Sequence, residues 1–251
     1  MQKEIFQNLV EKLQERCDII DIESEIDYRR RLVKKSEKET LYFWPLESDA
    51  QSKFDNLWLQ VTQQMEGNVD SNQVPVMFGR TLDIPESCNG SARFMFEYLC
   101  GRPLGAADYI ALAKNYHTVF VSNIPTMSMK IRDKARRFII LVDELYNHHC
   151  RFVCLSSSPI EDLFRGTDEG ALVDLESFQF ETDVEGSKLR TNVLSEGNVS
   201  SSGSPAGLVS MLSGQEEMFA FRRAVSRLVE MQTRVYLDGV WTLHPLFCTP
   251  K

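Results

Sequence analysis

Two short apolar runs on either side of an amphipathic stretch constrain the fold most strongly. His117–Ser122 and Arg151–Ser157 each have the pattern of a buried strand, and Ser128–Asn147 between them has the apolar spacing of a long helix. A strand, a helix and a second strand in this order predict two parallel strands joined by a helical crossover. The sequence therefore predicts an α/β fold, with segments of a mixed sheet and flanking helices.

Shorter patterns predict further elements on both sides of this unit. Val74–Met77 and Thr81–Ile84 flank a turn at residues 78–80 and predict a hairpin. Other strands are predicted at Asp18–Asp27, at Thr40–Trp44, and where Phe94, Phe96 and Tyr98 recur at every second position. Helices are predicted at Phe54–Met65, Ala106–Asn115 and Gln215–Gln232. Between residues 166 and 214 the chain is rich in Gly, Ser, Asp and Glu, which is typical of a mobile insertion.

Composition narrows the class of function. The 251 residues carry a net charge of -8, which argues against a chain that mainly binds nucleic acid. Six scattered cysteines without a CxxC pair indicate a reducing compartment. Met1–Cys17 reads as an amphipathic helix that contains three glutamates, unlike an organelle transit peptide. We therefore expect that the chain begins inside a folded element, as an internal fragment would.

Phosphate-binding motifs are absent from the sequence. It contains neither GxxxxGK[ST] nor GxGxxG, and the zinc motif HExxH is missing as well. Phe138–Glu144 (FIILVDE) has the letters of a Walker B strand, in which the Asp lies near Mg²⁺ and the Glu activates water. Its apolar residues, however, fall at helical spacing, which favours an amphipathic helix. A degenerate ATPase that uses Asp143 is the alternative hypothesis.

Two clusters of polar side chains are candidates for binding. His148, His149, Cys150 and Cys154 lie close together, but their spacing matches no zinc pattern and favours a helix end followed by a buried cysteine. We predict no metal site and no catalytic residue in this chain. Arg136 and Arg137 open a helix with an apolar face, where a guanidinium can reach an anion at a domain junction. An ordinary surface ion pair fits the same two residues equally well.

A series of short motifs covers nearly the whole chain in a fixed order. Together they resemble the AFG-one-like (lactation-elevated) ATPases of mitochondria, which are called ZapE in bacteria, and the Ser/Gly-rich insertion resembles that of plant members. The motifs are Asp27–Arg29 (DYR), Val76–Arg80 (VMFGR), Pro103–Tyr109 (PLGAADY), His117–Phe120 (HTVF), Ala135–Ile139 (ARRFI), Val142–Tyr146 (VDELY) and Phe221–Gln232 (FRRAVSRLVEMQ).

The resemblance implies P-loop AAA-type hydrolysis of ATP with Mg²⁺. It also implies quality control of mitochondrial inner-membrane proteins in eukaryotes and a role in cell division in bacteria. In this family the Walker A, Walker B and sensor-1 segments lie upstream of the helix that matches residues 1–17. The chain is then the C-terminal portion of a P-loop AAA-type ATPase, which alone neither binds ATP tightly nor hydrolyses it. Arg136 and Arg137 are the positions for a sensor-2-like contact with the nucleotide.

The resemblance also sets the expected organisation and partners. Residues 1–66 are the tail of the ATPase core, 67–165 a C-terminal α/β region, 166–214 the insertion, and 215–251 a C-terminal helix and tail. We expect client proteins and full-length family subunits as partners, no nucleic acid, and only indirect contact with a membrane. A mitochondrial location follows from the resemblance alone, because the sequence has no presequence of its own. A non-enzymatic interaction module and a truncated gene product are the alternatives.

Overall fold

The computed structural model describes residues 12–13, 15–18, 29, 41–63, 68–164 and 219–247. The predicted insertion and most of the predicted strand at Asp18–Asp27 lie outside these ranges, as do residues 248–251. Six strands of the described residues form one sheet. They are β1 (Tyr42–Phe43), β2 (Asp70–Pro75), β3 (Thr81–Cys88), β4 (Ser91–Met95), β5 (Thr118–Ile124) and β6 (Arg151–Ser156).

The sheet is mixed, with the strand order β1-β6-β5-β4-β3-β2. β1, β6, β5 and β4 run parallel to their neighbours, and β3 and β2 add an antiparallel hairpin at one edge. The predicted parallel pair with its crossover is confirmed in β5 and β6. β1 lies before the predicted boundary at residue 66, yet it pairs with β6 in the same sheet.

Five helices flank the sheet in the described part of the chain. α2 has the predicted bounds, and α3 begins later than predicted because the 3-10 turn Met129–Ile131 precedes it. α1 begins earlier than predicted, with Asp49 in a first turn where a carboxylate interacts favourably with the helix dipole. The helices are α1 (Ser48–Gln63), α2 (Ala106–Asn115), α3 (Arg132–Asn147), α4 (residues 219–230) and α5 (Arg234–Leu243).

α1 covers one face of the sheet through aromatic contacts. Phe54 and Trp58 meet the ring of Phe120 on β5 edge to face, at centroid distances of 5.6 and 5.1 Å. All three rings are buried. Burial of rings of this size contributes about 2–3 kcal/mol each, and edge-to-face pairs add to it. These rings hold α1 on the sheet from the interior, and an ion pair between Asp55 of α1 and Arg93 of β4, at 2.6 Å, adds a polar contact.

The other helices cover the opposite face. Phe120 and Phe152 project to opposite sides of the sheet, because Phe152 is paired with Val119 and side chains alternate along a strand. Phe138 of α3 lies between Phe152 and Phe96, at 6.3 and 5.8 Å. The Tyr236 hydroxyl of α5 donates to the carbonyl of Cys150 at 3.1 Å. The result is a sheet with helices on both faces, and the predicted α/β class is confirmed.

Two expectations fail in detail. The strand predicted from alternating aromatics ends at Met95, and Phe96 and Tyr98 lie in a helical stretch that includes Glu97–Gly101. The alternation is misleading because Phe96 turns inward to pack on Phe138. α5 has no counterpart among the predicted elements, although Thr233 caps its start by accepting a hydrogen bond from the Tyr236 N–H.

Candidate functional site

The carboxyl ends of the parallel strands lie together at one edge of the sheet. In open α/β sheets this edge is where ligands bind. Here it carries Ser122 near the end of β5, the Ser156–Ser158 run at the end of β6, and Tyr42 on β1. A nucleotide held by this sheet would lie at this edge.

Polar groups at this edge bind one another. The Tyr42 hydroxyl donates to the carbonyl of Ser158 at 2.9 Å, and the Ser156 hydroxyl donates to the carbonyl of Ile124 at 3.1 Å. The Ser157 N–H donates to the same Ile124 carbonyl at 2.9 Å, and the Ser122 hydroxyl donates to the carbonyl of Phe94. Burial raises the pKa of Tyr42, so its hydroxyl stays a neutral donor. Internal hydrogen bonds therefore occupy most of the groups that a ligand would use, and the Ser158 hydroxyl is buried without a hydrogen-bond partner.

The connection from β1 to α1 joins a strand to a helix, as a phosphate loop does. Its sequence, Trp44-Pro45-Leu46-Glu47, has no glycine and no lysine. Pro45 lacks an N–H, and the Glu47 N–H donates to the Pro45 carbonyl at 2.8 Å. A phosphate requires several free backbone N–H groups and a nearby cation. This connection offers a carboxylate instead and is unsuited to phosphate.

Arg137 lies in the second turn of α3, near the carboxyl edge because α3 follows β5. Its Nη1 donates to the carbonyl of Cys100 at 2.9 Å. The neighbouring Lys134 forms an ion pair with Glu97 at 2.7 Å, so α3 is tied twice to the segment that follows β4. Arg137 is half-buried and holds this junction together.

Arg136 points away from that junction. Its side chain is 47% exposed, and its guanidinium lies 4.0 Å from Asp133 one turn earlier on α3. An exposed pair at this distance contributes little to stability. Of the two arginines singled out by sequence, Arg136 is the more exposed.

The Walker B-like string is helical, as the spacing predicted. Phe138–Glu144 lies inside α3, and its apolar residues face the core. Asp143 forms ion pairs with Arg223, at 2.7 Å, and with Arg227, both on α4. The carboxylate that resembles a Mg²⁺ ligand therefore binds two guanidinium groups and fastens α4 to α3.

The same helix pair carries a second polar contact that the sequence did not reveal. The Tyr146 hydroxyl donates to a carboxylate oxygen of Glu230 at 2.7 Å, and Arg29 pairs with Glu230 at 2.8 Å. The guanidinium of Arg227 lies over the Tyr146 ring, 4.9 Å from its centroid. These residues are nearly 200 positions apart in sequence, from Arg29 to Arg227, and no local pattern could have joined them.

The histidine and cysteine cluster has its own structural partners. The Cys150 thiol donates to the carbonyls of Ala113 and Tyr116, both at 3.4 Å, and His148 Nδ1 lies 2.9 Å from the carbonyl of Glu144. Burial raises the pKa of the Cys150 and Cys154 thiols, which keeps both protonated. Within the described ranges no group of three or more His, Cys, Asp or Glu side chains is placed to hold a metal ion.

A polar cavity of about 480 Å³ lies away from the carboxyl edge, between the start of β2, the β3–β4 turn and the end of α2. The side chains that line this cavity form hydrogen bonds with neighbouring residues, as Asn72 shows. The Asn72 amide donates to the Tyr116 hydroxyl at 3.2 Å and accepts from the Gln73 N–H at 2.8 Å. Ser87 donates to the carbonyl of Asp70. These side chains bind neighbouring residues and do not point at a common ligand position.

The mixed sheet with parallel central strands, flanked by helices on both faces, is an architecture consistent with a P-loop ATPase-type domain. Comparison with known sequences defines the group more narrowly. The model of the AFG1-like ATPase family matches residues 1–172. The chain belongs to the AFG1-like ATPase family.

Several curated relatives are similar over much of this chain. Lactation elevated protein 1 homolog B of Danio rerio is 29% identical over 94% of this chain and 43% of its own length. A Schizosaccharomyces pombe protein is 30% identical over 95% of this chain and 47% of its own length. Cell division protein ZapE of Escherichia coli is 27% identical over 66% of this chain and 43% of its own length. The chain thus spans less than half the length of the curated relatives it matches.

No solved structure matches this chain significantly. Among the helices that the structure describes, none is long and apolar enough to cross a bilayer.

Proposed function

We propose that this chain is the C-terminal portion of an AAA-type ATPase that uses ATP and Mg²⁺ to remodel or extract client proteins in mitochondrial quality control. Membership of the AFG1-like ATPase family supports the ATPase chemistry. The clients, the mitochondrial location and an indirect contact with the membrane are parts of this proposal. In it, the 251 residues form a packed scaffold, and the phosphates of ATP are bound by a segment with a phosphate loop.

One observation carries the proposal: internal hydrogen bonds occupy most polar groups at the carboxyl edge of the sheet, among them the bond from Tyr42 to Ser158. The connection after β1 has no glycine or lysine, and the sequence contains no GxxxxGK[ST]. We therefore expect the isolated chain to release no phosphate from ATP above the buffer rate. Steady turnover by the isolated chain, abolished by Asp143→Ala, would instead support the degenerate ATPase.

The second candidate is a non-enzymatic interaction module that docks on full-length family subunits. It is favoured by Arg136, which is exposed in the second turn of α3, near the carboxyl edge. We propose that Arg136 contacts the phosphates of a nucleotide bound by such a subunit, as a sensor-2-like arginine. A guanidinium suits this role because it donates two hydrogen bonds to a phosphate in a fixed geometry.

Mixing the chain with a full-length family ATPase tests this role. The wild-type chain should co-purify with the ATPase, and the variant Arg136→Ala should co-purify but raise the KM for ATP about tenfold, the loss expected for one charge-assisted hydrogen bond. Arg222→Ala, which removes an exposed arginine of α4, is the matched control and should leave the KM unchanged. An Arg136→Ala chain that behaves like wild type, or a chain that never co-purifies, would reject the contact.

A further inference from the structure

All four histidines of the chain gather at the amino edge of the parallel strands. His117 immediately precedes β5, His148 and His149 lie between α3 and β6, and His244 follows the end of α5. β5 and β6 are parallel, so their first residues lie side by side. None of these side chains takes part in the function proposed above.

His244 is buried and uses both ring nitrogens. Its Nε2 lies 2.8 Å from the carbonyl of Ala113, to which it donates. Its Nδ1 accepts from the Leu246 N–H at 3.1 Å. A backbone N–H points at Nδ1, so this nitrogen carries no proton. The geometry requires a neutral imidazole at this position.

His117 also uses both ring nitrogens. Its Nε2 lies 3.2 Å from the carbonyl of Asn89, to which it donates, and its Nδ1 lies 2.8 Å from the Thr118 hydroxyl. The ring packs on Gly90, where an added Cβ would lie 2.7 Å from ring atoms. Little space exists for the ring to turn toward water.

The two rings attach the end of α5 to the sheet. The His117 ring contacts those of Trp241 and Phe247 at centroid distances of 5.3 and 5.2 Å, and it meets His244 at right angles at 6.3 Å. Trp241 and Phe247 are themselves exposed on their outer sides. The two imidazoles thus link the last residues of the described chain to the sheet.

The surroundings of both rings disfavour a positive charge. The guanidinium of Arg151 faces His117, and His148 and His149 face His244. The carboxylate of Glu144 lies against His148, 3.8 Å from its Nδ1. Burial is the largest influence and lowers the pKa of His117 and of His244 below the ordinary 6.5. Hydrogen bonds to backbone carbonyls oppose this lowering, and the neighbouring arginine and histidines add to it.

We propose that His117 and His244 form an acid-sensitive latch, which holds the end of α5 and residues 244–247 on the sheet at neutral pH and releases them when the rings are protonated. A released histidine binds protons more readily than a buried one. The latch is therefore intact above pH 6.5 and weakens as the pH falls from there through the lowered pKa values of the two rings.

Hydrogen exchange of the full 251-residue protein tests the latch. Exchange at about pH 7.5 and about pH 5 is compared after correction for the intrinsic effect of pH, in peptides covering α5 and residues 244–247 and in peptides covering β5. Protection of the peptides from α5 and residues 244–247 should fall by about tenfold or more in acid. Each proton gained on release shifts the equilibrium between the attached and released states about tenfold per pH unit. Protection of β5 should persist.

Variants separate the latch from general acid unfolding. The double variant His117→Gln, His244→Gln keeps an amide donor in place of each Nε2–H and cannot be protonated, so its α5 should stay protected at both pH values. His148→Gln removes a histidine outside the latch and should retain the acid transition. Equal protection of wild-type α5 at both pH values, or an undiminished transition in the double variant, would overturn the proposal.

A measurement on the unmodified latch covers the case in which the double variant fails to fold. An NMR titration of the imidazole protons gives four curves, and single variants of His148 and His149 assign two of them. The remaining two must titrate below 6.5. A pKa at or above 6.5 for either histidine would overturn the proposal. Protonation would then not favour the released state over the attached one.

Discussion

At the scale of single residues, neighbours in the sequence can have different structural roles. Arg136 and Arg137 are neighbours on α3, but successive helical residues point about 100° apart. Arg137 therefore reaches the carbonyl of Cys100, and Arg136 faces solvent. Asp143 lies on the same helix and binds two arginines of α4. Arg137 and Asp143, which a motif search would assign to nucleotide binding, here form hydrogen bonds and ion pairs between secondary-structure elements.

The role of Asp143 leads to a stability prediction. Asp143→Asn keeps the shape of the side chain but removes the charge that Arg223 and Arg227 share. Arg227 and Asp143 are both mostly buried, with 15% and 17% of their side chains exposed. We expect a loss of about 1–3 kcal/mol in the free energy of unfolding, measured by urea denaturation, because a guanidinium is left without its partner in a partly buried site.

The matched change is Arg223→Ala, which removes the more exposed partner of Asp143. About half of the Arg223 side chain is exposed, so this variant should lose less than about 1 kcal/mol. If both variants unfold at the wild-type urea concentration, Asp143 does not fasten α4 to α3.

At the scale of elements, the turn between β3 and β4 has a specific steric requirement. Gly90 has a φ of +76°, a conformation that residues with a side chain rarely adopt. Gly79, in the turn between β2 and β3, has a similar φ of +71°. The two positions differ in their surroundings, since an added Cβ would meet the His117 ring at Gly90 and nothing within 4 Å at Gly79.

Alanine substitutions at these two glycines distinguish the cost of backbone strain from the cost of a steric clash. Gly79→Ala should destabilise the protein by about 1 kcal/mol through the left-handed backbone alone. Gly90→Ala should cost more, about 2–4 kcal/mol, because the His117 ring must also move. Thermal unfolding followed by circular dichroism measures both. Equal losses in the two variants would show that the contact between Gly90 and His117 is absent in solution.

The elements differ in how well the sequence predicts them. α2, β5 and β6 were predicted nearly to the residue, because their apolar spacing reflects complete burial of one helix face or of a whole strand. α5 has no counterpart in the predictions, since Gly239 and several β-branched residues mask its helical pattern. The pairing of β1 with β6 joins residues more than 100 positions apart, and a local sequence pattern cannot predict such a contact.

The candidate site was predicted less completely than the fold. The absence of a phosphate loop and the helical nature of Phe138–Glu144 follow from local patterns. The difference between Arg136 and Arg137 depends on where the end of β4 lies relative to α3, which is a tertiary fact. The sensor-2-like role of the two arginines and the division into four segments remain predictions, as does the binding of client proteins.

At the scale of the whole molecule, the described residues form a sheet that is consistent with a P-loop ATPase-type domain. Hydrogen bonds from Tyr42, Ser122 and Ser156 occupy most polar groups at its carboxyl edge, and the connection after β1 carries Glu47 where a phosphate loop carries glycines and a lysine. The chain spans less than half of its curated relatives. The role of this sheet as a scaffold and the contact of Arg136 with a nucleotide held elsewhere remain proposals.

Calorimetric titration of ATP with Mg²⁺ into the isolated 251-residue chain tests this account most directly. Because internal hydrogen bonds occupy most of the carboxyl edge, we expect no saturable heat, with any affinity weaker than a Kd of about 1 mM. The chain should be shown to be folded in the same buffer by its cooperative thermal unfolding. Saturable binding with one site per chain and a Kd near about 1 μM would contradict the account, because the sheet would then contain a working nucleotide site.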